Sequence, residues 1–295
     1  MSALPVAKFR FPPPGKILLP LSGQVKLPVI MIFRSAQNEA TMLIAGIDVG
    51  SANTKVVIYN PTTDQLLTSA VNRTGMQPRL AAERTLNQAL NQAQLSRTHI
   101  NRIIATGYAR HTINFADAHV TEITATARAI RHWHPECRTI IDIGGQDSKV
   151  ISLNSEGQIQ DFIMNDRCAA GTGSFLEFIA RSLDIPIENF GILSARSQQP
   201  VIISSLCVVM AETEILSLVA ADTPREDIIA GLHQALAQRV AALAARLPVE
   251  TEIIFTGGTA QNTGMQTALA RALKLPVQTA RFPLLAAAFG AALGD

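Results

Sequence analysis

Two apolar runs in this chain each end on an aspartate. Leu43-Ile44-Ala45-Gly46-Ile47 leads into Asp48, and Thr139-Ile140-Ile141 leads into Asp142. A glycine-containing turn and a second apolar run follow each one, Val56-Val57-Ile58-Tyr59 and Val150-Ile151-Ser152-Leu153. Two strands joined by such a turn read as a β-hairpin. Elsewhere the spacing becomes helical. Leu80, Leu86, Leu90 and Ala93 recur at roughly one helical face, and Phe175, Phe178, Ile179 and Leu183 mark an amphipathic helix beginning near Thr172. The strongest helical pattern runs over 223–247. Thr223-Pro224-Arg225-Glu226 has the form of a capping box with proline at the first helical position. Ile228, Ile229, Leu232, Leu236, Val240, Leu243 and Leu247 then form one core-facing stripe, ended by Pro248. A late strand, Glu252-Ile253-Ile254-Phe255-Thr256, precedes Gly257-Gly258 and a helix through Leu273. Strands alternating with helices predict an α/β protein.

The first 41 residues lack this patterning. They hold Pro5, Pro12, Pro13, Pro14, Pro20 and Pro28, six of the fifteen prolines. Prolines so close together block helix and interior strand alike, which predicts a poorly ordered extension. The segment has neither the apolar stretch of a secretory signal nor the Arg/Ser-rich pattern of a transit peptide. Met42, directly before the first strand, is a candidate start of translation.

Composition narrows the picture. A length of 295 residues suggests about two domains. Charged residues make up 16% against a usual ~25%, and 47% are apolar, so a core can form and disorder is excluded as the general state. The net charge is +2 with no Lys/Arg cluster, so a nucleic-acid footprint is absent. The longest apolar run, Phe282 to Gly294, has 13 residues, short of the ~18 that a membrane span needs. Three cysteines are too few for a disulfide scaffold. With free thiols and no signal, a cytoplasmic location is expected.

The two hairpins are copies of one motif. Asp48, Gly50, Thr54, Lys55 and Val56 match Asp142, Gly144, Ser148, Lys149 and Val150 at an offset of 94. Glycines and small hydroxyl residues let a phosphate approach backbone N–H groups, which form an anion-binding nest. An aspartate at the strand end can hold Mg²⁺ directly or through water. Two such hairpins facing each other would clamp a polyphosphate. One copy alone reads best as an ordinary turn, where Asp and Gly are common; two copies matching at five positions favour the binding reading. A P-loop is excluded, because G-x-x-x-x-G-K-[ST] is missing. Gly257-Gly258 could pack backbone against a base or ribose, although a plain strand-to-helix turn explains it equally well.

Two cysteines stand in informative settings. Cys168 lies in Cys168-Ala-Ala-Gly171-Thr-Gly173, ahead of the helix near Thr172, and Cys207 lies ahead of another helical stretch. Helix N-termini favour thiolates and anionic ligands. Spacing alone does not make a metal site of them. There is no C-x-x-C, and a lone cysteine beside Val208-Val209 reads more readily as a small buried hydrophobe. A [4Fe-4S] cluster needs four thiolates, which two chains could share. Cys137 has no comparable setting and reads as structural or surface.

Taken together, these stretches resemble the ATPase activators of 2-hydroxyacyl-CoA dehydratases, a family that includes benzoyl-CoA reductase ATPase subunits. The resemblance rests on Gly46-Ile-Asp-Val-Gly-Ser51, Ala105-Thr-Gly-Tyr-Ala-Arg110, Thr121-Glu122, Ile141-Asp-Ile-Gly-Gly-Gln-Asp147, Asn165-Asp166 with Cys168-Ala-Ala-Gly-Thr-Gly173, Ser204-Ser205 with Cys207, and Thr256-Gly-Gly-Thr-Ala-Gln-Asn262, in family order over 42–295. It implies a two-lobed actin-like ATPase of duplicated ribonuclease H-like lobes, spanning 42–136 and 137–295, with the C-terminal helix returning to the first. It also implies a homodimer sharing one [4Fe-4S] cluster through Cys168 and Cys207, which reverses the weighing from spacing. ATP and Mg²⁺ would be served by Asp48 and Asp142. Gly50, Ser51, Gly144, Gly145 and Gln146 would line the phosphates, and Gly257 and Gly258 the nucleoside. Glu122 would support hydrolysis, its plainer reading being a surface glutamate at a helix start. The implied partners are a dehydratase or reductase component and a ferredoxin or flavodoxin as electron donor. A small-molecule kinase of the same superfamily and a non-redox ATP switch are the competing readings; neither needs thiols at positions 168 and 207.

Overall fold

A computed structural model describes residues 42–165, 168–204 and 207–294. The proline-rich segment 1–41, with its expected disorder, lies outside the described residues, as do Asp166 and Ser205 of the quoted motifs. The first half runs β1 (Ile44–Val49), β2 (Asn53–Asn60), β3 (Gln65–Arg73), α1 (Pro78–Gln92), β4 (Arg102–Thr106), β5 (Ala118–His119) and α2 (Glu122–Trp133). The second runs β6 (Thr139–Ile143), β7 (Ser148–Leu153), β8 (Ile159–Asn165), α3 (Gly173–Ser182), α4 (Phe190–Ser194), α5 (Val208–Ala220), α6 (Arg225–Ala244), β9 (Ile253–Thr256), α7 (Thr263–Leu273), β10 (Val277–Thr279) and α8 (Ala286–Ala292).

The repeat seen in the hairpins extends to whole sheets. Their strand orders are β3-β2-β1-β4-β5 and β8-β7-β6-β9-β10. In each, the second strand is antiparallel to the first, and the fourth and fifth run parallel to it. This is the two-lobed α/β fold of ribonuclease H-like sheets. Ile47, Val49, Val56 and Ile58 form a core with α1 residues such as Leu86 and Leu90 on the outer side of the first sheet. On the outer side of the second sheet, Ile141, Ile143 and Val150 meet α3, α6 and α7. Between the sheets, Ile44 and Val57 of one and Ile140 and Ile151 of the other share a core with α2 and α8. The α2–α8 contact is close because both helices are alanine-rich and Gly290 rests on the backbone of Ala125, where a Cβ would collide.

One local expectation needs correction. The helix expected over 223–247 is α6, with Ile228, Ile229, Leu232, Leu236 and Val240 of its stripe buried and Leu243 and Leu247 partly buried, but the capping box does not form. Pro224 is the N-cap residue, without a side-chain cap. The amide of Thr223 instead donates to Leu218 O at 3.0 Å, which ties the residue to the end of α5. Cys168 lies on a turn just ahead of α3, as expected. A 3₁₀ turn, Ala169–Gly171, stands between them, with Cys168 as its N-cap.

Candidate functional site

Strand alternation decides where the two aspartates point. Side chains two apart share a face, so Asp48 lies on the face of Ile44 and Asp142 on that of Ile140. Both faces look toward the layer between the sheets. At the strand ends this layer opens into a cleft of about 1120 Å³, its mouth included. The cleft brings together Asp48, Gly50, Ser51, Glu122, Asp142, Gly144, Gly145, Gln146, Gly257 and Gly258, every residue that the sequence marked outside the cysteines. The hairpins abut across it: a Cβ on Gly145 would lie 2.9 Å from Ala52 Cβ. Both turns close in the same way, Gly50 N donating to Asn53 O at 3.2 Å and Gly144 N to Asp147 O at 2.9 Å.

The charges form two unequal halves. Lys55 pairs with Asp48 in register and bonds Asp48 Oδ2 at 2.8 Å. Lys149, only 2% exposed, reaches Asp147 at 2.8 Å, Glu122 at 3.0 Å and Asp142 at 3.8 Å. Burial pushes Asp48 above the usual carboxylate range despite Lys55. Burial likewise raises Asp142 to about 6, with Glu122 and Asp147 adding to the rise and Lys149 opposing it. Burial alone would lower Lys149, but Asp142, Glu122 and Asp147 outweigh it and hold the ammonium charged. Glu122 is therefore no free surface glutamate. Thr121 Oγ1 caps α2 by accepting from Thr124 N at 3.1 Å, which places Glu122 at the first helical position, over the cleft.

Removing one member of a buried ion cluster leaves uncompensated charge, at a cost of about 3–5 kcal/mol. Lys149→Ala leaves three carboxylates without their shared cation. It is expected to destabilise the protein on that scale in urea unfolding, and an unchanged midpoint would contradict this description.

The sequence reading assigned no role to Lys55, Lys149 or Asp147. The lysines were visible as matching positions of the repeat, but their partners come from other elements. It also passed over a second repeated feature. β4 and β9 both end in a threonine followed by glycine, at Thr106-Gly107 and Thr256-Gly257, with Thr106 opposite Asp48 and Thr256 opposite Asp142. Both glycines have positive φ, 92° and 88°. A Cβ at either would strike the neighbouring aspartate's Oδ1, so both are needed for the close approach of backbone to carboxylate.

Asp48 Oδ1 is buried without a hydrogen-bond partner, as are the hydroxyls of Thr106 and Thr126. Unpartnered buried oxygens beside carboxylates suit a hydrated Mg²⁺, an ion that takes oxygen ligands and keeps several waters. Gly257, Gly258, Thr259, Tyr108 and Leu284 also line the cleft, with Leu284 packed 3.7 Å from where a Cβ on Gly258 would stand. Tyr108 is 78% exposed.

The cysteines lie outside the cleft. Cys168 and Cys207 are free and exposed, each the N-cap of a helical turn or helix, so the buried-hydrophobe reading of Cys207 does not hold. Cys137 is buried, and its thiol is pushed up to about 12 by that burial. Among the described residues, no group of three or more His, Cys, Asp or Glu side chains is arranged to hold a metal ion within one chain. Also among them, no helix is long and apolar enough to cross a membrane.

Against known proteins, the sequence profile of the BadF/BadG/BcrA/BcrD ATPase family matches residues 45–294. The chain is 38% identical over 256 residues to the 2-hydroxyisocaproyl-CoA dehydratase activator of Clostridioides difficile, covering 85% of this chain and 94% of that protein. It is 40% identical over 253 residues to the activator of lactoyl-CoA dehydratase of Anaerotignum propionicum, covering 85% and 96%. A solved structure of the activator of the 2-hydroxyisocaproyl-CoA dehydratase from Clostridium difficile, with bound ADPNP, superposes with a TM-score of 0.83 at 37% identity, covering 85% of this chain and 93% of that one.

Proposed function

The chain belongs to the BadF/BadG/BcrA/BcrD ATPase family, and on that premise we propose that it is an ATP-hydrolysing iron–sulfur activator. It would pass one low-potential electron to a 2-hydroxyacyl-CoA dehydratase-type or benzoyl-CoA reductase-type partner, with a ferredoxin or flavodoxin as donor. The observation that carries this reading is the pairing of a double-hairpin cleft with two exposed, free cysteines, Cys168 and Cys207, both at the starts of helical segments.

In the cleft, the amides of the two glycine turns receive the phosphates, and Gly257 and Gly258 leave room for the nucleoside. Asp48 and Asp142 would hold Mg²⁺, which would supply charge compensation for the phosphates, and would orient the attacking water. Glu122, fixed by Lys149, helps to place that water. The lysines keep the carboxylates from repelling one another as the anionic nucleotide enters.

Two thiolates per chain fit a [4Fe-4S] cluster shared across a homodimer, since four ligands are needed. A bound cluster supplies the one-electron couple. The surroundings of Cys207 suit a covered interface, because Ile202, Val209 and Met210 are 88%, 65% and 66% exposed. Such large apolar exposure is unusual on a monomer.

Anaerobic reconstitution with iron and sulfide tests the proposal. Incorporation of about four Fe per dimer is expected. A chain that binds ATP but takes up no iron would overturn the electron-transfer reading and leave an ATP switch.

A further inference from the structure

The two lobes share a device, and the second lobe puts it to an additional use. In the first lobe, Thr74, just past β3, clamps the hairpin turn. Its amide donates to Ala52 O at 3.0 Å and its hydroxyl to Gly50 O at 2.7 Å. Thr54 Oγ1 lies 3.0 Å from the same hydroxyl. In the second lobe, the clamp again comes from the segment beyond the third strand. Gly173 N donates to Gly144 O at 2.8 Å and Ser174 N to Gly145 O at 2.9 Å. The Ser174 hydroxyl also donates to Gly145 O, and Ser148, the counterpart of Thr54, donates its hydroxyl to Gly171 O. Gly171 belongs to the 3₁₀ turn that Cys168 caps, and Gly173 and Ser174 open α3 directly after it.

Peptide geometry links the clamp to the cleft. In a trans peptide the C=O and the N–H of the next residue point in opposite directions. The carbonyls of Gly144 and Gly145 are turned toward α3, so the amides of Gly145 and Gln146 face away from it. Both residues line the cleft, and neither amide has a protein acceptor among the described residues. A phosphate oxygen that takes these N–H groups acts on the same two peptide planes whose carbonyls hold Gly173 and Ser174. Arg239 of α6 grips the turn from outside, donating to Ala170 O at 3.0 Å. A shift of the hairpin therefore tilts the turn against this second anchor.

We propose that Ser148 and Ser174 are positioning residues that convey the phosphate occupancy of the cleft to Cys168. The proposal rests on the nucleotide and cluster reading above and adds the residues through which the two sites communicate. A ligand shifts such an arrangement only by its differential affinity for the two states. ATP and ADP differ by one phosphate group, so they can differ in the phosphate oxygens they offer to these amides.

The test uses the reconstituted protein. Iron release to a chelator is followed with ATP and with ADP, alongside the alkylation rate of Cys168 in the metal-free full-length chain, resolved by mass spectrometry. Buried Cys137 reports unfolding. In the wild type, both rates are expected to differ about fivefold or more between nucleotides, the range of ordinary site-to-site coupling. In Ser148→Ala/Ser174→Ala that ratio should fall to about one while nucleotide binding and iron content are retained, and Ser174→Thr should keep most of it. Persistence of the ratio in the double variant overturns the proposal. So does a wild-type chain that binds both nucleotides yet shows no difference, an outcome that stands even if the double variant fails to fold. Failure to take up iron counts against the cluster reading instead, and the alkylation arm still decides whether Cys168 follows the nucleotide.

Discussion

Cys168→Ser and Cys207→Ser are each expected to abolish cluster assembly, with loss of essentially all reconstituted iron and of the visible absorbance. The size of the effect follows from symmetry. In a homodimer, one substitution removes two of the four ligands that a [4Fe-4S] cluster needs. Electron delivery to the partner should vanish with the iron, whereas ATP binding should persist, because neither cysteine lines the cleft. Cys137→Ser is the internal control. Its thiol is buried, donates to Thr139 O at 3.4 Å and stays protonated well above neutral pH, so iron content should be unchanged. Full iron retention by Cys168→Ser would refute the shared-ligand assignment.

The parts of this protein that could be read from its sequence are those written locally and written twice. The two Asp-x-Gly hairpins sit at strand ends with matching offsets, and the fold places both at one cleft. Glu122 was harder to weigh, because a glutamate at a helix start is ordinary on a surface. Its meaning depends on Lys149, which comes from β7. The lysines themselves were legible as a repeat but not as the centre of a buried ion cluster, since that requires knowing which strands and helices converge. Thr223 shows a local rule losing to its surroundings. The residue has a capping sequence, yet its amide is taken by the end of α5. The 3₁₀ turn after Cys168 and its bonds to the hairpin were invisible for a similar reason. They join residues 23 to 29 positions apart through backbone carbonyls, which leave no mark on residue identity.

Asp142→Asn should lower ATP hydrolysis by about 10²-fold or more while keeping nucleotide binding, iron and fold. The exchange preserves the shape of the side chain and removes only the charge that would hold Mg²⁺ and orient water, contributions of that order in hydrolytic sites. Lys149 keeps Glu122 and Asp147 as partners, so no buried cation is stranded. The pH dependence gives a second readout. In the folded protein, burial raises Asp142 from 3.8 to about 6. Wild-type hydrolysis should therefore fall as pH drops through about 6, because the carboxylate is neutralised there. Stability should follow the opposite slope. A folded-state pKa above the unfolded one means that the folded protein binds this proton more tightly. That contribution is fully present below about 3.8 and is lost as pH rises through about 6. Acidification across this window thus relieves the strain of the buried charge while it silences the site. In Asp142→Asn both slopes should lose this component, seen as a flattened acid limb in the rate profile and a weaker pH trend in urea unfolding. A variant that keeps the full rate and the full acid limb would show that Asp142 is not the group that positions water and metal in this cleft.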